Sequence, residues 1–399
     1  MRVFSFHPSA KRKLFAADIA SSDLLRSIRS PSRLQLVTAI FVAVLCVALS
    51  LPTSFVIEGA GPALNVNGKT NGMKLVTISG KTAYESESQL YLTTVTSWGG
   101  PEAGVSGWQA LGALFDSRYQ LIPVRALYAE QTTQADVESE AEQDMLNSQD
   151  SAVAVANSLA GFEVREQLTV QSAEPEYPAG AVLQQGDIVL GVGRASDEQV
   201  LPVHNFIELA EFLETVEPGS EISMEIERDG ETRVVEFATV APNADETGWA
   251  KPGAMIGVAI SVADVRPSAR VRYAVKDIGG PSAGLMFTLG IYDALTEGSL
   301  AQNAKIAGTG TISWNGDVGE IGGIEHKMRG AARAGATDFL APAANCAETI
   351  GLEPQGMRVW AVRNAREAVT AASAIGKGDT SSLTSCQELM RGLGAKEES

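Results

Sequence analysis

One segment constrains this chain more than any other: residues 34–57 are apolar and contain no charged side chain. A helix of about 20 such residues spans the hydrocarbon layer of a bilayer. We therefore predict a transmembrane helix at residues 34–57, with Pro52 near its end. Seven Lys or Arg and only two Asp precede it, so the positive-inside rule predicts a cytoplasmic basic segment at residues 1–33. The remainder is then extracytoplasmic, and the protein is a single-pass protein of the plasma membrane.

Two alternatives exist for this segment: a cleaved signal peptide and a buried core helix. The apolar run is longer than a signal core of about 7–15 residues, and the segment before it is also long. Both facts favour a permanent membrane helix. A signal peptide would export the same remainder of the chain.

The charges and the cysteines limit the kinds of partner. The net charge of −17 arises entirely after the apolar segment, and it argues against nucleic-acid binding because phosphates are repelled. Three cysteines and three scattered histidines predict no metal site. Cys346 and Cys386 lie in the exported part, where we predict that they form a disulfide. Two separate buried thiols are the alternative.

The exported part begins with a region of strands and helices at residues 58–160. Glycine, asparagine and Pro62 predict a linker with turns at residues 58–75. Strand-like runs follow at 73–79 and 89–98, and residues 130–160 have the composition of a helix whose acidic first half is solvated.

Residues 161–240 have the pattern of a small β-rich domain. A turn at Gly186-Asp187 leads into an apolar strand, a helix follows at 204–216, and Asp229-Gly230 predicts a hairpin. This order resembles a PDZ domain of the bacterial protease type. The resemblance implies a peptide groove, with Gly161 and Phe162 in the loop that receives the peptide end and the helix facing it.

Ser282 stands in the string Gly-Gly-Pro-Ser-Ala-Gly, directly before an apolar helix. A serine there is often only a helix cap. It is also a candidate nucleophile, because a helix start directs free N–H groups at a developing oxyanion. We predict an oxyanion hole from the backbone of Gly280, Ser282 and Ala283.

Lys327 lies in the first turns of a second helix, after Gly322-Gly323, and a lysine in that position is usually a surface charge. Together, however, the Pro-Ser-Ala-Gly and Gly-Gly-x-x-x-Lys boxes resemble the proteolytic domain of Lon proteases. They are most similar to membrane-anchored Lon-like proteases with a PDZ domain from Gram-positive bacteria. The resemblance implies Ser282 as the nucleophile, Lys327 as the general base and Thr309 as a supporting residue.

The resemblance also sets the expected architecture: a multidomain α+β or α/β protein with a Lon-type proteolytic domain at residues 252–375 and a tail at 376–399. It also implies a homo-oligomer, and the oligomer that Lon-type domains often form is a hexameric ring. Lon enzymes usually have Lys-Asp-Gly-Pro-Ser, whereas in this chain Lys276-Asp277 is separated from Pro281 by three residues. The role of Asp277 therefore stays open.

Lys327 can act as a general base only when its amine is neutral, because only the neutral amine accepts a proton. Its pKa must therefore be lowered by burial in an apolar pocket. A histidine triad is not expected, because His7 and His204 lie in other regions and His326 is the helix neighbour that points away from Lys327.

The predicted function is an ATP-independent, membrane-tethered serine endopeptidase that cleaves unfolded or exported protein segments and uses no cofactor. Two Gly-Lys-Thr strings, at residues 68–70 and 80–82, lack the glycine that a phosphate loop needs; Ala63 and Leu75 stand there instead. The alternatives are an inactive PDZ scaffold for exported proteins and an acyl-transfer enzyme that uses the same serine and lysine.

Overall fold

The computed structural model describes residues 32–70, 72–197, 199–244, 248–274 and 278–397. Most of the predicted basic segment at residues 1–33 lies outside the described residues, and so does Asp277. Within the described ranges the chain forms an apolar N-terminal helix, a larger α/β domain and a smaller β-rich domain.

The strands, in chain order, are β1 (Phe55–Asn65), β2 (Lys69–Thr70), β3 (Met73–Lys74), β4 (Val76–Ser79), β5 (Gln89–Trp98), β6 (Tyr119–Pro123), β7 (Val164–Ala173), β8 (Ile188–Arg194), β9 (Leu201–Pro202), β10 (Glu221–Arg228), β11 (Glu231–Ala238), β12 (Val258–Pro267), β13 (Arg270–Tyr273), β14 (Lys305–Gly308), β15 (Thr311–Ile312), β16 (Val318–Gly319), β17 (Asp338–Pro342) and β18 (Arg358–Val362).

The α-helices, also in chain order, are α1 (Arg33–Ser50), α2 (Gly107–Leu114), α3 (Val124–Leu127), α4 (Gln134–Leu159), α5 (Phe206–Glu214), α6 (Gly284–Leu295), α7 (Ile324–Arg333), α8 (Cys346–Thr349), α9 (Ala365–Lys377) and α10 (Cys386–Glu397). Short 3₁₀ turns lie at Pro178–Ala181, Pro281–Ala283 and Ala343–Asn345.

A six-stranded sheet in the order β18–β17–β14–β5–β1–β6 forms the centre of the larger domain. β14 lies parallel to both β5 and β17, whereas β1 is antiparallel to β5 and β6. The predicted separate region at 58–160 and the predicted proteolytic domain at 252–375 therefore form one domain. Its two halves need each other, because without β5 the edge of β14 would lack backbone partners.

The linker predicted at residues 58–75 is wrong, since most of it is β1. A Cβ atom on Gly61 would lie 2.3 Å from Thr94 Oγ1, so this glycine permits close packing of two strands rather than a turn. Pro62 falls where the β1–β5 register shifts between Ala60 and Ala63. Such a bulge tolerates proline inside a sheet because the ladder hydrogen bond is already interrupted.

The smaller domain contains a sheet in the order β11–β10–β8–β7–β12 and the helix α5. The predicted hairpin at Asp229-Gly230 is present, with φ of 56° at Asp229 and 78° at Gly230. β12, however, lies beyond the predicted limits of 161–240. It pairs with β7 along its length, and Val258, Ile260 and Val262 pack on the core of this domain. The domain is thus inserted in the chain between α4 and β13.

The predicted membrane helix is shorter than expected. α1 ends at Ser50, and Phe55 to Ile57 already belong to β1 instead of the predicted span at 34–57. Pro52 follows the helix, and a proline cannot continue it. None of the residues of α1 is buried, and its length and composition are sufficient to cross a bilayer.

The predicted tail at residues 376–399 is mostly part of the larger domain. α9 runs to Lys377, and α10 packs next to α8. A disulfide joins Cys346 to Cys386, and both side chains are fully buried. The last helix is therefore attached covalently to the domain.

Candidate active site

The segment around Ser282 is held by α4. The 3₁₀ turn Pro281–Ala283 leads directly into α6. Gly280, with φ of 84°, donates its N–H to the carbonyl of Ala141 at 2.9 Å, and Ser148 Oγ donates to the carbonyl of Pro281 at 2.9 Å. The position of Ser282 is thus set by a helix that is more than 120 residues earlier in the chain.

The sequence predicts the acidic, solvated first half of α4, but it does not predict that the helix supports the segment around Ser282. The second half of α4 is buried, including Ser148, Ser151 and the run of small apolar residues at 152–156. That run, with no charged residue, was the available signal that the end of the helix is in a core.

Ser282 itself is half-buried, and its carbonyl accepts hydrogen bonds from Gly310 N at 2.9 Å and from Thr309 Oγ1 at 3.0 Å. The first N–H groups of a helix have no acceptor within the helix. Ser282 and Ala283 stand at such a start and line one cleft, where their backbone is suited to receive an oxyanion. Gly280 lines this cleft too, but its N–H is donated to the carbonyl of Ala141, so Gly280 has no free N–H for the predicted oxyanion hole.

Lys327 is buried, with 4% of its surface exposed. Gly323 precedes α7 with φ of 67°, and the helix carries the lysine inward, where Nζ donates to Thr309 Oγ1 at 3.2 Å. Burial lowers the pKa of Lys327 from 10.5 to about 8, against the opposing effect of the Glu58 carboxylate. A substantial fraction of this lysine is therefore neutral in mildly alkaline solution.

One cleft of about 1120 Å³ brings Ser282 and Lys327 together. Thr309 lies behind its wall, fully buried, and connects the two: it accepts from the lysine and donates to the serine carbonyl. Among the described residues no hydrogen bond joins Ser282 Oγ to Lys327 Nζ directly. Such contacts are often long in a substrate-free enzyme and shorten when the substrate binds.

Glu58 is a cleft residue that the sequence did not indicate. It lies in β1, lines the cleft and is close enough to Lys327 for each charge to affect the other. Burial raises the pKa of Glu58, and Lys327 opposes this rise. The sequence does not reveal its role, because the composition of residues 58–75 predicts a linker and because Glu58 and Lys327 are far apart in the chain.

His326 also lines the cleft, with 1% of its surface exposed. Neither ring nitrogen has a hydrogen-bond partner among the described residues. Burial lowers the pKa of His326, which favours the neutral ring. His204 lies in the smaller domain beside Glu208, at 3.2 Å, so the described histidines do not assemble a triad with Ser282.

The structure contradicts the predicted peptide groove at Gly161 and Phe162. Phe162 packs on the core of the larger domain, and the strand that follows, β7, is paired on one side with β8 and on the other with β12. A peptide cannot add to a strand whose two edges are occupied. In the described part of the chain β12 is the edge strand, and just before it Ala254 N donates to the carbonyl of Leu213 at the end of α5.

Residues 274–370, which contain Ser282, Thr309 and Lys327, match the family described as the Lon protease (S16) C-terminal proteolytic domain. The Lon protease of Fusobacterium nucleatum is 43% identical over 70 residues, which are 18% of this chain and 9% of that protein. The Lon protease of Desulfatibacillum aliphaticivorans is 40% identical over 79 residues, 20% of this chain and 9% of that protein. The chain thus spans less than a tenth of the length of these curated relatives.

Solved structures similar to this chain include the PDZ domains of SdrC-like proteins from Listeria monocytogenes and Listeria innocua. The first has 17% identity and covers 23% of this chain and 85% of that domain, with a TM-score of 0.19. The second has 19% identity and covers 24% and 92%, also with a TM-score of 0.19. At these values the PDZ-like description depends on the sheet order, α5 and the hairpin of this chain.

The matched segment is similar to a Lon-type proteolytic domain, as predicted, and the chain combines it with a PDZ-like β domain and one apolar helix near the N-terminus.

Proposed function

We propose that this protein is a membrane-tethered endopeptidase that uses Ser282 and Lys327, without ATP, to cleave unfolded or exported protein segments. The observation that carries the proposal is the buried Lys327, whose pKa is lowered to about 8 and whose amine Thr309 holds at the wall of the cleft that contains Ser282.

The proposed mechanism follows from these positions. Neutral Lys327 takes the proton of Ser282 Oγ while the oxygen attacks the carbonyl carbon of the scissile peptide bond. The N–H groups of Ser282 and Ala283 stabilise the oxyanion that forms. The lysine then gives the proton to the leaving amine, the C–N bond breaks and an acyl-enzyme ester remains. Water, deprotonated by the same lysine, hydrolyses the ester and restores Ser282.

The cleft favours extended substrates. It is open and bounded by β5 and by the loops before α6 and α7, and a folded protein presents few extended backbones to such a site. We propose that the PDZ-like domain delivers these segments, with a peptide pairing along the free edge of β12. Cleavage of a long unfolded substrate, which can reach both the β12 edge and the cleft, would then have a lower KM than cleavage of a short peptide that fills only the cleft, at equal kcat.

We propose that α1 anchors the protein, with its N-terminal side in the cytoplasm and both domains outside. The seven basic residues before the apolar run that begins at residue 34 support this orientation. A reporter cysteine in the smaller domain that reacts with an impermeant reagent on whole cells would test it.

The central experiment uses the full chain in nanodiscs, an unfolded casein-like substrate and no ATP. We expect cleavage by the parent and loss of more than 100-fold in kcat with Ser282→Ala or Lys327→Ala. Ser196→Ala, in an exposed turn of the smaller domain, is the matched control and should cleave like the parent. A serine-reactive probe should label the parent and the control but not Ser282→Ala.

Other outcomes discriminate between the remaining classes. Folded protein with neither cleavage nor labelling would indicate a scaffold. Labelling without hydrolysis, but with transfer to an added amine, would indicate acyl transfer. Cleavage that persists in Ser282→Ala would exclude this serine as the nucleophile.

A further inference from the structure

The outer side of α2 exposes a group of large apolar side chains to solvent. Trp108, Leu111, Leu114 and Phe115 recur at helical spacing on its outer side, with Leu114 68% and Phe115 83% exposed. The inner side of the helix carries Ala110 and Ala113, which pack on a small cluster with Ile57, Val105 and Leu121. The inner face is thus satisfied by small residues, and the large ones point outward.

Two aromatic residues lie beside α2, where they line one hollow with Gln109 and Gly112 of the helix. Trp98 and Tyr119 are both partly exposed and touch edge to face, with ring centroids 5.6 Å apart. The Arg118 guanidinium lies 5.8 Å from the centre of the Tyr119 ring and is ion-paired with Asp116. Trp and Tyr are enriched at the boundary between lipid and water. We call Trp98, Trp108, Leu111, Leu114, Phe115 and Tyr119 the apolar patch.

The apolar patch is continuous with the apolar helix α1. Gly107 N, at the start of α2, donates to the carbonyl of Leu51 at 3.2 Å, one residue after α1 ends. A Cβ atom on Gly107 would lie 3.0 Å from the Cα of Leu49. Pro52 and Ser106 form an isolated β-bridge at the same place. The patch therefore lies where the chain leaves the bilayer if α1 spans it.

We propose that the apolar patch lies in the lipid–water interface, with Trp108, Leu111, Leu114 and Phe115 inserted among the lipid headgroups and the first methylenes of the acyl chains. This inference rests on the proposed membrane anchoring by α1. It makes the attachment two-point: α1 crosses the bilayer, and α2 lies on its surface as interfacial helices do. The larger domain is then held in one orientation and does not turn freely on its anchor.

β6 contributes Tyr119 to the patch and Gln120 and Ile122 to the cleft. Because successive side chains of a strand point to opposite faces of the sheet, the patch and the cleft lie on opposite faces of β6. The proposed orientation therefore fixes the cleft relative to the bilayer, on the face of β6 away from the patch.

The test uses the full chain with Cys46→Ser, so that an added cysteine is the free thiol beside the disulfide. Nitroxide labels at Leu111→Cys and Leu114→Cys are measured in liposomes of phosphatidylcholine and phosphatidylglycerol, by collision with oxygen, which concentrates in lipid, and with a water-soluble nickel chelate. Val234→Cys, on an exposed residue of β11, is the control for water, and Val42→Cys in α1 is the control for lipid.

We expect the ratio of oxygen to nickel accessibility at 111 and 114 to exceed that at 234 several-fold and to approach that at 42. Retained cleavage of the casein-like substrate shows that each labelled protein is folded. If the label at 42 is in lipid but those at 111 and 114 collide with nickel as readily as 234 does, the patch proposal fails while the anchor stands. Shielding of 111 and 114 from both reagents would assign the patch to a second copy of the chain and also overturn the proposal. A water-exposed label at 42 would overturn the anchor and, with it, this inference.

Discussion

Two opposing influences set the pKa of the Lys327 amine. Burial removes water from the ammonium and lowers its pKa, whereas Glu58, on the wall of the same cleft, favours the charged form. Desolvation is the larger of the two, so the pKa reaches about 8 and not its ordinary value of 10.5. The balance between burial and Glu58 thus decides at which pH the proposed base is neutral and able to accept a proton.

The first prediction concerns the pH dependence of cleavage. Because only the neutral amine accepts a proton, kcat/KM should rise with pH through about 8, the pKa of Lys327 in the free enzyme. Glu58→Gln removes the charge that stabilises the ammonium, so the rising limb should move to lower pH. Glu320→Gln, another glutamate of the cleft, is the matched control and should leave the limb in place. An unchanged limb in Glu58→Gln would contradict the coupling.

The second prediction concerns stability. Below pH 8 the folded state holds an ammonium in a site that disfavours it, at a cost of about 3 kcal/mol for a pKa lowered from 10.5 to about 8. Lys327→Met fills the site without a charge, so we expect the variant to abolish cleavage and yet to melt higher than the parent at pH 6–7. The advantage should shrink as pH rises from 8 to 10.5, since the folded parent then loses its proton first. Thermal unfolding at a series of pH values measures this, and a lower melting temperature at pH 6 would refute it.

At the scale of elements, the close contact of α7 with β1 positions the lysine. A Cβ atom on Gly330, one turn after Lys327, would lie 2.8 Å from the carbonyl oxygen of Gly61. That neighbour is backbone in the sheet and cannot move cheaply. Two glycines that are 269 positions apart therefore set how deeply the helix, and the amine with it, enters the cleft.

The third prediction follows from this contact. Gly330→Ala should destabilise the larger domain by about 1–3 kcal/mol and lower kcat, because overpacking shifts α7 away from β1. Gly392→Ala, in α10, is the matched control, since an added Cβ there meets no atom within 4 Å. It should be neutral or slightly stabilising, as alanine favours a helix over glycine. Equal unfolding midpoints for the two variants in denaturant would argue against the contact.

At the scale of the whole molecule, one domain is made from two distant parts of the chain, and the PDZ-like domain is inserted between them. β12 completes the inserted sheet, and β13 then pairs with β4 of the first part. A peptide bound at the β12 edge, as proposed, would contact a strand whose end precedes Ser282 by about 15 residues in the chain.

The disulfide between Cys346 and Cys386 closes a loop with a sequence separation of 40 and attaches α10 to the domain. Its removal by Cys386→Ala should lower the free energy of unfolding by about 4 kcal/mol in the chain-entropy model. Cys46→Ser, in α1, should change nothing. Alkylation of the unfolded, unreduced protein should modify Cys46 alone, and modification of all three cysteines would mean that the bond is absent.

The sequence by itself determined the features that are local. The apolar helix, the Asp229-Gly230 hairpin, the turn with Ser282 and the start of α7 at Gly323 all depend on neighbouring residues, and the two boxes matched the Lon-type domain. The sequence also predicted that Lys327 must be buried for its proposed role.

Only the tertiary structure decided what distant residues do together. The glycines at 59, 61, 68 and 72 have the composition of a linker, yet Gly59 and Gly61 lie in a strand inside the sheet. They are glycines because Tyr119, Trp98 and Thr94, from other strands, leave no space for a side chain there. In the same way, Glu58 opposite Lys327, α4 under Ser282 and β12 beside β7 are contacts between segments far apart in sequence. Side-chain packing and strand pairing select such contacts, and no local pattern encodes them.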